Sequence, residues 1–234
     1  AQEIDPSAIA AVKAAGAQNW DVAYSLADTE DSVARDVITY LRLRDGSAEY
    51  AEYQPFVTRR ADWPGIDRVR AAAEEMMPEG LDPQSVVDWF GDILPETGEG
   101  AVRLAQALYA LGQDGKAEAM LAEIWHTYRL SSSGHRAMLA AYPSFLAAHH
   151  TVRTDTLLWA WRTTEAELML PLLGEGHAAL ASARIAYIRK QGGLEAKVAA
   201  VPDALKDTAG LAYDRYNWLA DRGDRTEAIK ILKA

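Results

Sequence analysis

The sequence predicts an all-α protein, a superhelical solenoid of antiparallel helix pairs forming a single domain over residues 1–234. Three observations predict it. The stretch Leu104 to Trp125, LAQALYALGQDGKAEAMLAEIW, reads as two amphipathic helices joined by a tight turn. Leu104, Leu108 and Leu111 share one face of the first, and Ala117, Leu121 and Trp125 recur every fourth residue in the second. Gly112 ends the first helix, where positive φ costs glycine little, and Gly115 falls in the turn. The figure returns as WLADRGDRTEAIKIL, where Leu219, Gly223, Ala228 and Leu232 match Leu108, Gly112, Ala117 and Leu121 in type and spacing. One helix–turn–helix cannot bury its own apolar face and stacked copies can, so the recurrence implies a helical solenoid. Finally, no run of period-two alternation rich in β-branched residues occurs.

The elements follow in order. Asp5-Pro6 is a helix start, cap then proline, and Ile4, Ile9 and Val12 lead to a stop at Gly16. Asn19 caps a second helix bearing Trp20, Ala23, Tyr24 and Ala27. A third carries Val33, Val37, Tyr40 and Leu41 and stops before Gly46, with Arg42 and Arg44 favourably placed in its last turn. Ser47 caps a fourth with Tyr50, Tyr53 and Val57 on one side. Asp62-Trp63-Pro64 opens the next, whose face is Ile66, Val69, Ala73 and Met77. Asp82-Pro83 repeats the cap-and-proline device, and Thr97 caps the helix of the opening figure. Ser131 to Gly134 is a loop that caps a helix bearing Met138, Leu139 and Tyr142. Pro143, Pro171 and Gly174 to Gly176 divide the helices that follow. Ala179, Ala183, Ala186 and Tyr187 mark a long helix ending at Gly192-Gly193, and Pro202 precedes the terminal pair. The total expected is roughly fourteen to sixteen short helices. No polar capping repeat follows the last helix, which predicts further chain beyond it.

Composition bounds the function. Hydrophobic residues make up 49% of the 234 residues, so a sizeable core is available. Net charge is −10 and the pI near 5.0, which argues against nucleic acid and against an anionic membrane surface as partner. No apolar run reaches the ~18–20 residues of a membrane span. There is no cysteine, which excludes disulfides, thiolate catalysis and thiolate zinc sites. The start Ala1-Gln2-Glu3 fits the residue of signal-peptide cleavage, and equally an excised fragment.

Motifs for chemistry are sparse. The histidines, His126, His135, His149, His150 and His177, contain no HExxH, and adjacent His149 and His150 point about 100° apart on a helix and cannot chelate one ion together. The densest carboxylates are Glu74-Glu75, Glu96 with Glu99, and Asp28, Glu30 and Asp31; solvated faces and caps account for them. Gly98-x-Gly100 begins like a phosphate-binding fingerprint, but Arg103 stands at the third glycine and no strand precedes it. Arg59-Arg60 with Arg68 and Arg70 is the one local basic cluster. Trp63, Trp89, Trp125, Trp159, Trp161 and Trp218 read chiefly as inter-helix packing, with a minority free to line a groove. No catalytic, cofactor-binding or metal-ligating residue is nominated.

Four segments stand in a telling order: Asp62-Trp63-Pro64; Leu94-Pro95-Glu96-Thr97-Gly98-Glu99-Gly100 leading into Arg103-Leu104-Ala105; His150 to Trp159, HTVRTDTLLW; and Val201-Pro202-Asp203-Ala204-Leu205 followed by Leu211-Ala212-Tyr213-Asp214-Arg215. Together they resemble the N-terminal helical region, the U-domain, of soluble lytic murein transglycosylases. The resemblance implies an α-superhelical arc that would precede a linker domain and a lysozyme-like catalytic domain. It also implies a periplasmic enzyme that cleaves the MurNAc–GlcNAc bond of peptidoglycan without water, through one glutamate in a Glu-Ser pair. This sequence has no Glu-Ser dipeptide and no Gly-Leu-Met-Gln segment, so no catalytic residue carries over. The expectation is a non-catalytic scaffold or binding domain, periplasmic with its signal peptide removed, that frames the active site and engages peptidoglycan glycan strands or a periplasmic protein. Two alternatives stand beside it: a free-standing helical-repeat adaptor for a protein or peptide, and an enzyme assembled from scattered carboxylates and histidines. The last requires a desolvated glutamate beside a histidine in a deep pocket.

Overall fold

The computed structural model describes residues 6–27 and 32–231, and every described element is helical. Ile4, Asp5, Asp28, Glu30, Asp31 and Leu232 lie outside the described residues. In chain order the helices are α1 (Pro6–Gly16), α2 (Trp20–Leu26), α3 (Val33–Arg44), α4 (Tyr50–Arg59), α5 (Ile66–Met76), α6 (Pro83–Phe90), α7 (Gly98–Ala110), α8 (Asp114–Thr127) and α9 (Ser132–Ala141). There follow α10 (Pro143–Ala147), α11 (His150–Trp159), α12 (Thr163–Met169), a 3₁₀ turn (Leu170–Leu172), α13 (Glu175–Ile188), α14 (Leu194–Ala199), α15 (Asp203–Lys206), α16 (Ala209–Asp221) and α17 (Arg225–Ile231). The excess over the expected number comes from α10, α14 and α15, of four to six residues each, too short to register as periodicity.

The caps show where local chemistry set the boundaries. Ser32, Asp82 and Thr97 each accept a backbone N–H three residues on, and Ser131 does the same for Gly134. Asn19 occupies the cap of α2 without a side-chain bond. Two expected starts are displaced. Ser47 does not cap α4: Glu49 does, in a capping box with Glu52. Asp62-Trp63-Pro64 does not open α5 but forms a turn, and the helix begins at Ile66 behind left-handed Gly65. Gly115 is likewise not in a turn but in the first turn of α8.

The chain divides into two compact units, Ala1–Ile124 with Arg129–Ala141, and Trp125–Tyr128 with Tyr142–Ala234. In the first, α1, α3, α5, α7 and α9 pack each on the next, while α2, α4 and α6 lie against α3, α5 and α7. One cluster of this layered core joins Leu43, Tyr53, Phe56, Val69 and Ala73; another joins Ala11, Ala15, Ala23 and Ile38. In the second, α11, α13 and α16 contact one another, and Ala183, Tyr187, Val201 and Leu211 form a core cluster.

The recurrent figure is partly visible. Gly112 and Gly223 both take positive φ, 69° and 82°, and the next N–H closes the same bond in each: Gln113 to the Leu108 carbonyl, Asp224 to that of Leu219. Ala117 and Ala228 are both buried, as are Leu104, Leu108, Leu121 and Trp125. Leu111 is exposed, at the end where α7 runs out.

Candidate functional site

The second unit is organised around Arg184, which rises from the alanine-rich face of α13 and is 2% exposed. Its Nε donates to Asp214 on α16 at 2.6 Å and its Nη1 to Asp155 on α11 at 2.6 Å. Asp214 is as buried as the arginine, whereas Asp155 is 57% exposed. Burial raises the Asp214 carboxyl, and the bond and charge of Arg184 pull it part of the way back. Trp159, one turn beyond Asp155, places its ring 5.4 Å from the guanidinium and 5.2 Å from the ring of Tyr213.

Beside this cluster opens a cavity of about 370 Å³. Leu158, Leu173, Leu180 and Leu205 contribute apolar walls; Asp155, His177 and Thr208 contribute polar ones. One guanidinium between two carboxylates leaves the cluster with one net negative charge, which disfavours anions. The arrangement suits an uncharged or cationic ligand with one apolar face and one hydrogen-bonding face.

In the sequence, Asp155 and Asp214 stand only as members of segments that carry the family resemblance, and Arg184 stands in none of them. The signal available was Arg184 itself, a lone cation inside the run AALASARIAYI. Two of the segments that carry the family resemblance meet here: HTVRTDTLLW supplies Asp155 and Trp159, and LAYDR supplies Tyr213 and Asp214.

The other candidate residues have structural posts. Glu74 is 1% exposed, and burial pushes its carboxyl up from 4.5 to about 7, against the opposing pull of its hydrogen bonds and of Arg70. Its oxygens accept the backbone N–H of Glu96 and of Thr97 and the Thr97 hydroxyl, at 3.1, 2.8 and 2.7 Å. It thus holds the start of α7 from outside the helix. Gly98 and Gly100 cradle no phosphate: a Cβ on Gly98 would overlap the backbone of Gly134, and one on Gly100 would overlap the Glu74 carboxyl.

Arg59 and Arg60 converge on buried Asp36, and Arg70 lies 4.7 Å over the ring of Trp89, so these members of the basic cluster are engaged by their own unit. Arg153, 2% exposed, donates to the carbonyls of Trp125 and Tyr128 and stacks on the Trp125 ring; burial lowers it to about 10, still charged at neutral pH. His126 does meet His149, ring nitrogens 2.9 Å apart, but among the described residues no group of three or more potential metal ligands exists. Of the tryptophans, Trp125 is buried, Trp63, Trp89 and Trp218 are half-buried, and Trp159 and Trp161 are 44% and 57% exposed. No described helix is long and apolar enough to cross a membrane.

No family of known proteins, no curated protein and no solved structure matches the chain.

Proposed function

We propose that the chain is a non-catalytic helical arm of a peptidoglycan lytic transglycosylase, a superhelical scaffold that engages glycan strands in the periplasm. The observation that carries this reading is the convergence on Arg184. Two segments that resemble the family, more than fifty residues apart in the chain, meet there through one buried arginine, beside a cavity whose apolar and hydrogen-bonding walls would admit an uncharged, amphipathic ligand. The row of α1, α3, α5, α7 and α9, each packed on the next, is what a helical solenoid requires of its inner layer.

The enzyme alternative draws no support from Glu74. It is the desolvated acid that such a site would need, yet its oxygens are occupied by Glu96 and Thr97. The reading is tested by adding the purified chain to a turbid suspension of sacculi. The suspension is expected to stay turbid, with no anhydro-muropeptides released. Clearing by the chain alone overturns the reading.

A further inference from the structure

We propose a distinct saccharide subsite in the second unit, in a cavity of about 220 Å³ between the ends of α11 and α13 and the side of α16. Its lining includes Trp161, Tyr187, Lys190, Asn217, Trp218 and Asp221.

The backbone marks this place. Helices α3, α7 and α16 each end with a glycine at positive φ: Gly46 at 72°, Gly112 at 69° and Gly223 at 82°. Helices α11 and α13 end in the same hydrogen-bonded figure. The Arg162 N–H reaches the Leu157 carbonyl at 2.8 Å, and that of Gln191 reaches Ala186 at 2.9 Å. The left-handed residues here are Trp161, φ 57°, and Lys190, φ 54°. A bulky side chain at such a position is strained where glycine would be at ease. The described residues contain three non-glycine positions of positive φ, and two of them line this one cavity. Strain kept where glycine would serve the fold better is strain kept for the side chain.

The side chains then define the ligand. Trp161 leaves a broad indole uncovered, 57% exposed. Tyr187 and Trp218, in the same lining, stand edge to face with ring centres 5.8 Å apart. The Asn217 Nδ2 is buried and has no acceptor, so the cavity holds a donor waiting for an oxygen. Lys190 and Asp221 pair at 3.0 Å, which balances the rim and supplies both a donor and acceptors, and the one further carboxylate in the lining, buried Asp214, is already paired with Arg184. An aromatic platform for C–H faces, an amide donor for a hydroxyl or carbonyl oxygen and a charge-balanced rim are the recognition set of a neutral pyranose ring. That the ring is an N-acetylhexosamine of a glycan strand rests on the reading of the chain as a glycan-engaging arm.

The test is calorimetric titration of the full chain with an N-acetylglucosamine oligomer, alongside the variants Trp161→Gly and Asn217→Leu. Trp161→Gly relieves the backbone, so its melting temperature is expected to be unchanged or raised, while affinity falls at least tenfold. Asn217→Leu, similar in size and without the donor, is expected to lose affinity with its fold retained. Equal affinity in the parent and Trp161→Gly, or no binding by the parent, overturns the subsite. Pelleting of the same proteins with whole sacculi separates the two proposals. If parent and Trp161→Gly pellet alike, the subsite fails and the arm reading stands; if neither pellets, both fail.

Discussion

Gly210 of α16 lies flat against the guanidinium of Arg184, so closely that a methyl group on it would overlap Cζ and both terminal nitrogens. A free arginine would swing aside. This one is held by Asp155 and Asp214 and is nearly sealed from solvent. Alanine inside a helix is ordinarily the better residue by about 1 kcal/mol. Here the sign is expected to reverse: Gly210→Ala should destabilise by about 1–3 kcal/mol, the usual cost of overpacking. Urea denaturation measures it, and a stabilised variant would show that the arginine is not fixed.

The Arg184–Asp214 pair should behave as a buried ion pair. Arg184→Met leaves the buried Asp214 carboxylate unpaired and is expected to cost about 3–5 kcal/mol; Asp214→Asn leaves the buried guanidinium only its exposed partner Asp155 and should cost less. The double variant Arg184→Met with Asp214→Leu should cost clearly less than the sum of the singles. A double-mutant cycle by denaturant unfolding reads the difference; additive effects would contradict the pairing.

Glu74 sets a pH dependence of definite sign. Its folded value, about 7, lies above its ordinary 4.5, so the folded state binds the proton more tightly. Its contribution is fully present below pH 4.5 and is lost as pH rises through 7, a span of about 3 kcal/mol at 1.36 kcal/mol per unit. Burial lowers His150, which acts in the opposite sense: its contribution is present above 6.5 and lost as pH falls. The difference between the parent and Glu74→Gln cancels His150. The parent's stability relative to that variant should therefore decline steadily from pH 5 to 8, and a flat difference would remove Glu74 from the account.

Gly98 and Gly134 bring the first turns of α7 and α9 into backbone contact. Gly98→Ala must push the helices apart and is expected to cost about 1–3 kcal/mol. Gly112→Ala, which meets open space but at positive φ, should cost about 1 kcal/mol from backbone strain alone. Thermal melts of the two variants rank them, and equal shifts would mean that close approach adds nothing.

These sites also explain what could be read from the chain. Helical class followed from periodicity, and the capping side chains of Asp82 and Thr97 announced their helices because capping is local. Gly98, Gly100, Gly134 and Gly210 were opaque. Each sits inside a helix because of what packs on it from far along the sequence, and periodicity carries no trace of such a neighbour. Arg184 was opaque for the same reason, since its partners lie 29 and 30 residues away. The displaced start of α5 has a local cause: Gly65, left-handed, holds Trp63-Pro64 outside the helix.

The most direct test of the glycan-engaging arm is a pelleting isotherm with purified sacculi. The account predicts saturable co-sedimentation that disappears when the glycan strands are first digested with a muramidase. Protein that stays in the supernatant with intact sacculi, or pellets equally with digested material, would contradict it.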